Sequence, residues 1–430
     1  MARVARIVLA VVATTVVALV AAVALLDRDD DSASSAGART ADAIDPAVRI
    51  ARGAYLVRAG NCLGCHTETG GEPFAGGVDI ETPFGIVRAP NLTPDPQGLG
   101  AWSADDFWRA LHDGRSRDGR RLYPAFPYPN YTRLERADAD AMYAYLKTVA
   151  PVARPNQPHA LRFPFDQQAA LRVWRALFFR PARFEPDTAH TPQWNRGAYL
   201  VETLGHCNAC HSQRNAFGAS SSTLDLAGGL IPIQNWYAPS LFDDAQAGVG
   251  EWPAQDVVAL LKTGVSPRGS AQGPMARVVV GSTQYLDDAD LAAMTAYLRD
   301  LPGRRPAVAS AAATTTTAAG VSERGRKLYA DRCAACHGDS GEGVAGAYPP
   351  LAGNRAIALD PPANLVHMVL RGGFAPTTPG HPRPFGMPPF GTVMSDDEVA
   401  DVLSYVRGAW QPRAAPVSAL EVRRFRGAAQ

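Results

Sequence analysis

The six cysteines of this 430-residue chain fall into three copies of one pattern, Cys62-Leu-Gly-Cys65-His66, Cys207-Asn-Ala-Cys210-His211 and Cys333-Ala-Ala-Cys336-His337, and none is left over. In that spacing two thiols can add to the vinyl groups of a haem while the histidine that follows directs its imidazole at the iron. The pattern therefore predicts three covalently bound haem c groups. Cys62, Cys65, Cys207, Cys210, Cys333 and Cys336 are the attachment points, and His66, His211 and His337 are the iron ligands on one side. Zinc would need two such pairs converging on one metal, yet the copies stand far apart and each carries its own histidine. A redox dithiol belongs in a strand-helix-strand context, and none surrounds any copy.

The opposite side of each iron decides much of the chemistry, because a thioether facing histidine raises the potential and suits electron transfer. The chain has seven methionines. Met275, in Gly273-Pro-Met-Ala276, follows Gly264 in a stretch expected to be a loop reaching over the second haem. Met387, in Gly386-Met-Pro-Pro-Phe390, follows Gly372 in the same way for the third, with Met394 as the alternative. Met142, Met294 and Met368 read as core residues of helices. The first copy differs, since its matching loop is Leu122-Tyr-Pro-Ala-Phe-Pro-Tyr128 and Phe126 stands where a methionine is expected. His112, Met142 or no side chain at all is left for that iron. His112 reads as the outer side of a helix end, because it aligns with Lys262 and Leu370.

The elements that must position these residues are themselves repeated. Arg52-Gly-Ala-Tyr-Leu-Val57 leads into the first motif, Arg196-Gly-Ala-Tyr-Leu-Val201 into the second, and the shorter Arg324-Gly-Arg-Lys-Leu-Tyr329 into the third. Each reads as a helix running to its motif. After each motif comes a P-x-L step at Pro90, Pro239 and Pro349. A carbonyl there, held by the stiff proline, would accept the Nδ1 proton of the iron-binding histidine; the alternative is a plain turn. Helices are expected at 106–114, 256–264 and 364–372. Each repeat closes with a helix whose apolar residues recur at three and four, around Tyr145, Tyr297 and Tyr405, packing on the leading helix of its own domain.

The fold class that follows is mainly α: three tandem class I cytochrome c domains with loop-rich segments, preceded by an N-terminal hydrophobic segment. The 39 glycines and 35 prolines fit short helices joined by ordered loops. The expected division is a signal or anchor segment at 1–26, a linker at 27–45, domain 1 at 46–152, a connector at 153–192, domain 2 at 193–305, a flexible linker at 306–320, domain 3 at 321–412 and a tail at 413–430. The connector carries Leu171, Trp174, Leu177 and Phe178 on one helical face, suited to clasping the first two domains or to meeting a partner or the membrane surface. The Ala/Thr-rich linker at 306–320 lets the third domain move more independently.

With 42 basic against 41 acidic side chains the net charge is +1, which offers nothing to nucleic acid and no strong overall steering. Residues 7–26 are uncharged and mainly apolar, with basic residues before and acidic ones after. That stretch reaches the ~20 residues that span a bilayer. It reads as an uncleaved anchor or a cleaved export signal, with the bulk of the chain on the periplasmic side.

With its lead-in helices, Ala89-Pro-Asn-Leu-Thr-Pro-Asp95, Gly205-His-Cys-Asn-Ala-Cys-His211 and Met387-Pro-Pro-Phe390, the chain resembles the triple-haem cytochrome c subunit of bacterial membrane-bound dehydrogenases from Arg52 to about Pro412. The resemblance implies an electron relay with no catalytic residues of its own. It would take electrons from a dehydrogenase catalytic subunit of flavin, pyrroloquinoline quinone or molybdopterin type and pass them to membrane ubiquinone or a terminal oxidase. Phe126 departs from the family, whose members often have methionine there. The competing reading is a peroxidase-like enzyme using an open first haem, for which a positioned distal base is required.

Overall fold

The computed structural model describes residues 45–220, 226–242, 246, 248–301, 323–411 and 414–427. The apolar stretch at 7–26 and the linker at 306–320 lie outside these. Among the described residues no helix is long and apolar enough to cross a membrane. The chain forms two compact units, one comprising residues up to Leu56 with Cys65–Glu185, the other Val57–Gly64 with everything from Pro186 onward.

The same helix pair is built three times. A leading helix, Pro46–Ala59, Pro192–Tyr199 or Glu323–Arg332, crosses a closing helix, Arg136–Leu146, Asp288–Asp300 or Asp396–Trp410. The glycine of each Arg-Gly pair lies at the crossing. A β-carbon on Gly53 would sit 1.9 Å from the Ala141 carbonyl oxygen, one on Gly197 2.0 Å from that of Ala293, and one on Gly325 2.4 Å from that of Asp401. Only glycine permits this approach. The arginine beside it reaches to an aspartate of the closing helix: Arg52 pairs with Asp138, Arg196 holds Asp290 through two bonds of 2.8 and 2.7 Å, and Arg324 pairs with Asp401. Arg-Gly in the lead-in is thus one device, a close helix contact with an ion pair at its edge.

In the first unit a middle helix, Ala104–Asp113, starts at a capping box between Ser103 and Asp106 and stops at Gly114, whose φ of 60° is left-handed. Leu111 of this helix is buried, as are Leu56, Tyr128, Met142 and Leu146 of the same unit. Periodicity did not suggest a sheet here, yet Asp79–Thr82, Gly85–Arg88 and Ala160–Leu161 form an antiparallel three-stranded one. Its third strand comes from the connector, too short to carry an alternating signal of its own. The connector helix Gln168–Phe178 buries Leu171, Arg175 and Ala176, while Leu177 is exposed. Of the expected face Leu171 is buried and Trp174 and Phe178 half-buried, so only Leu177 departs from it. Arg175 joins that face, donating to the Asp113 carbonyl at 2.5 Å and lying over the Tyr128 and Phe179 rings.

The second unit holds the second and third repeats and also Val57–Gly64, where the Ala59 carbonyl accepts the Ser282 hydroxyl at 2.9 Å. The third repeat is docked on the second, contrary to the independent motion expected from a flexible linker. Asn364 makes reciprocal 2.8 Å bonds with the Tyr237 backbone, Arg355 donates to the Gly248 carbonyl at 2.9 Å, and Pro376 packs against Gly264. A linker's composition describes its own freedom, whereas these contacts lie far from it in sequence. The tail expected at 413–430 contains a helix, Ala419–Gly427, which buries Val422 and Phe425 in the core of the third repeat.

That helix is also held by charge. Asp396 accepts from Arg426 at 2.7 Å and from Arg423 at 3.4 Å. These bonds, Arg426 first, hold its carboxyl below the usual carboxylate range. A depressed folded value means the contribution is complete above the unfolded pKa and disappears as pH falls through the folded one. Denaturation midpoints measured from neutral toward acid pH should fall for the wild type, with a shallower slope for Asp396→Asn.

Candidate haem-binding sites

Each Cys-x-x-Cys-His motif ends in a short helical turn whose histidine is gripped from behind. His66 Nδ1–H donates to the Pro90 carbonyl at 2.8 Å, His211 to that of Pro239 at 2.7 Å and His337 to that of Pro349 at 3.0 Å. This settles the tautomer, since a carbonyl can only accept, and leaves Nε2 of each ring as the nitrogen that could bind a metal. Desolvation holds all three imidazoles below the ordinary histidine value, outweighing the carbonyl bond, which favours the neutral form a ligating ring needs.

Three glycines complete the grip, and sequence reasoning missed them. Gly76, Gly228 and Gly343 donate their N–H to the carbonyls of His66, His211 and His337 at 2.9, 2.7 and 2.8 Å. Their φ values are 73°, 82° and 65°, and a β-carbon on any of them would collide with the backbone of the P-x-L step. The leucine of that step donates in turn to the residue two before the glycine: Leu92 to Phe74, Leu241 to Leu226 and Leu351 to Gly341. The distance from histidine to glycine differs in every repeat, so no fixed spacing marks it.

The cysteines suit haem attachment. All six are free of disulfides. Burial pushes the Cys207 thiol up to about 12 and that of Cys333 up to about 11. Among the described residues no group of three or more His, Cys, Asp or Glu side chains is placed to hold a metal ion.

A left-handed glycine follows the middle helix of each repeat, Ala104–Asp113, Ala254–Thr263 and Ala363–Arg371, with φ 60° at Gly114, 80° at Gly264 and 63° at Gly372. An antiparallel bridge comes next: Arg115 to Arg121, Val265 to Ser270 and Gly373 to Met387. From Arg121 to Phe126 is the same step as from Ser270 to Met275, so Phe126 holds the backbone place of Met275. Met275 lies not in a loop but in the first turn of the helix Gly273–Gly281, which Pro274 favours at its start. Met387 is half-buried in the bridge itself. Met394 is buried in the core of the third repeat, and Met142 and Met294 in those of the first and second.

Phe126 is half-buried, 5.5 Å from the Tyr131 ring and 6.5 Å from that of Tyr128, which is fully buried under Gly114. His112 is not on an outer face as expected. It is 2% exposed, with Nδ1 bonded to Asp113 at 2.7 Å and its ring stacked on Trp108, because the middle helix turns that side inward.

The sequence model of the cytochrome c family matches residues 50–150 and 322–410. Over 413 residues the chain is 38% identical to the protein named alcohol dehydrogenase (quinone), cytochrome c subunit, of Gluconacetobacter polyoxogenes, covering 92% of this chain and 87% of that relative. The chain belongs to the dehydrogenase cytochrome c subunits. Other members are the gluconate 2-dehydrogenase cytochrome c subunit of Pantoea cypripedii, 37% identical over 84% of this chain and 85% of the relative, and the fructose dehydrogenase cytochrome subunit of Gluconobacter japonicus, 36% identical over 88% and 82%. As a dehydrogenase cytochrome c subunit the chain carries covalently bound haem c and transfers electrons from a dehydrogenase catalytic partner. It is an electron-transfer subunit rather than a catalyst.

Proposed function

We propose that the chain is a three-haem relay on the periplasmic face of the cytoplasmic membrane, held there by residues 7–26 as an anchor or exported by them as a cleaved signal. Electrons enter from a catalytic subunit of flavin, pyrroloquinoline quinone or molybdopterin type and leave to membrane ubiquinone or a terminal oxidase. Three cytochrome c domains at 46–152, 193–305 and 321–412 carry the haems. The observation behind this reading is the grip repeated three times, with Nδ1 of His66, His211 and His337 engaged and Nε2 left for metal.

When bound, each haem supplies one-electron iron redox chemistry. The residues do the rest. Cys62, Cys65, Cys207, Cys210, Cys333 and Cys336 fix the rings covalently, and the carbonyls of Pro90, Pro239 and Pro349 orient the histidines and raise their basicity. Met275 and Met387 supply thioethers to the second and third irons. Phe126 has no donor atom to offer, so the first haem would be held by Cys62, Cys65 and His66.

The mass of the purified full-length protein should exceed that of its polypeptide by three haems, and Cys207→Ala with Cys210→Ala should remove one of them. The oxidised wild type should show methionine-to-iron charge-transfer absorption from two haems. A mass with fewer than three haems, or spectra without that absorption, would refute the assignment.

A further inference from the structure

One short segment of the second repeat, Asn235 to Pro239, adjoins the supports of both proposed ligands of the second haem. At its end the Pro239 carbonyl accepts His211 Nδ1–H at 2.7 Å. In its middle the Trp236 ring lies so close over Gly273, at φ 52°, that a β-carbon there would stand 2.7 Å from the ring. Gly273 begins the helix whose first turn carries Met275. A shift of this segment therefore moves the support of the histidine and that of the thioether together.

Beside its strand pairing with Gly229 and Leu230 and the Tyr237 hydroxyl bond to Gln246, the segment has partners in the third repeat. Tyr237 N–H donates to Asn364 Oδ1 and Asn364 Nδ2 to the Tyr237 carbonyl, both at 2.8 Å. His367 Nε2–H donates to the Asn235 carbonyl at 3.0 Å, and its fully buried ring stacks on Trp236 at 5.0 Å and 29°. Asn235 and Ile233 have φ of 55° and 65°, a left-handed backbone that persists in non-glycine residues only where surrounding contacts hold it. Asn364 and His367 sit on the helix Ala363–Arg371, which ends at Gly372, and a β-carbon on Gly372 would stand 2.2 Å from the Met387 carbonyl oxygen. One helix of the third repeat thus touches the ligand supports of the second haem at one end and the strand of Met387 at the other.

We propose that Asn364, His367 and Trp236 are positioning residues through which the third repeat sets the axial geometry of the second haem and couples the two centres for electron transfer. This rests on the three-haem reading and adds a directional expectation to it: damage to the third repeat at Asn364 is felt at the second iron. The reciprocal amide bonds fix register, as paired donors and acceptors on one side chain do. The stacked rings supply the buried contact.

The test uses the full-length protein in three variants, Trp236→Leu, Asn364→Ala and the ring-retaining Trp236→Phe. Haem content by mass, electron paramagnetic resonance, redox titration and electron redistribution after flash reduction are read for each. Trp236→Leu and Asn364→Ala should keep three haems, shift the g-values and potential of the second haem while leaving the first unchanged, and slow redistribution between the second and third centres several-fold. Trp236→Phe should recover most of the wild-type behaviour. Should Trp236→Leu fail to fold, Asn364→Ala carries the test. Three haems with wild-type g-values, potential and redistribution rate in Asn364→Ala would overturn the inference and leave the relay reading intact. A wild type lacking haem on Cys207 and Cys210 would overturn both.

Discussion

Phe126→Met should give the chain a third methionine-ligated haem, seen as a rise in methionine-to-iron charge-transfer absorption from two haems per chain to three. Phe126 and Met275 stand at the same step beyond equivalent bridges, each following a left-handed glycine. The scaffold that would offer the proposed thioether of Met275 in the second repeat therefore exists in the first and carries a ring without a donor atom. Methionine is unbranched and flexible enough to occupy the half-buried place of the phenylalanine, whose neighbours Tyr128 and Tyr131 keep the loop in position. The potential of the first haem should rise by a sizeable part of the roughly 0.8 V over which axial ligands tune such centres. Carbon monoxide, which needs an open iron, should bind the wild type at one haem and the variant at none. Phe126→Leu, which removes the ring without adding sulfur, should leave both spectra as in the wild type. Charge-transfer absorption from three haems in the wild type would refute the account of the first site.

Gly197→Ala should destabilise the second repeat and deplete its haem. The added methyl would stand 2.0 Å from the Ala293 carbonyl oxygen and 2.9 Å from the Tyr297 β-carbon. Neither is the far end of a flexible side chain, so the two helices must separate. Separation also lengthens the paired bonds from Arg196 to Asp290, a carboxylate only 7% exposed. Ordinary overpacking costs about 1–3 kcal/mol, and a collision with fixed backbone belongs at or above the top of that range. Alanine's helix propensity returns at most about 1 kcal/mol. Gly427→Ala is the control, since a β-carbon there meets nothing within 4 Å. A drop in the thermal midpoint for Gly197→Ala and none for Gly427→Ala is the expected pattern. Equal midpoints would mean the leading and closing helices do not cross this tightly.

The parts of these sites that could be read from the chain are the ones written at short, constant spacing. Two thiols and a histidine within five positions announce haem attachment without help from the fold, and Arg-Gly before the motif marks the leading helix. The P-x-L step is legible for a similar reason, because proline limits what the backbone can do locally. Gly76, Gly228 and Gly343 do the same job in each repeat but lie at a different distance from their histidines each time. Loops of unequal length bring them to one place in space, and no pattern along the chain records that. His112 looked exposed by alignment with Lys262, whereas the packing of its own helix turns it inward against Asp113 and Trp108.

The three Cys-x-x-Cys-His motifs, the repeated helices and the absence of methionine at Phe126 are local facts of covalent order, and the amino-acid sequence by itself determined them. Only the tertiary structure decided that the third repeat is fastened to the second. Asn364 and His367 meet Tyr237 and Asn235 across more than a hundred residues of intervening chain, a pairing that depends on which surfaces fold against each other. Such contacts form when buried polar groups find complementary partners in space. Linker composition, being local, carries no information about that match.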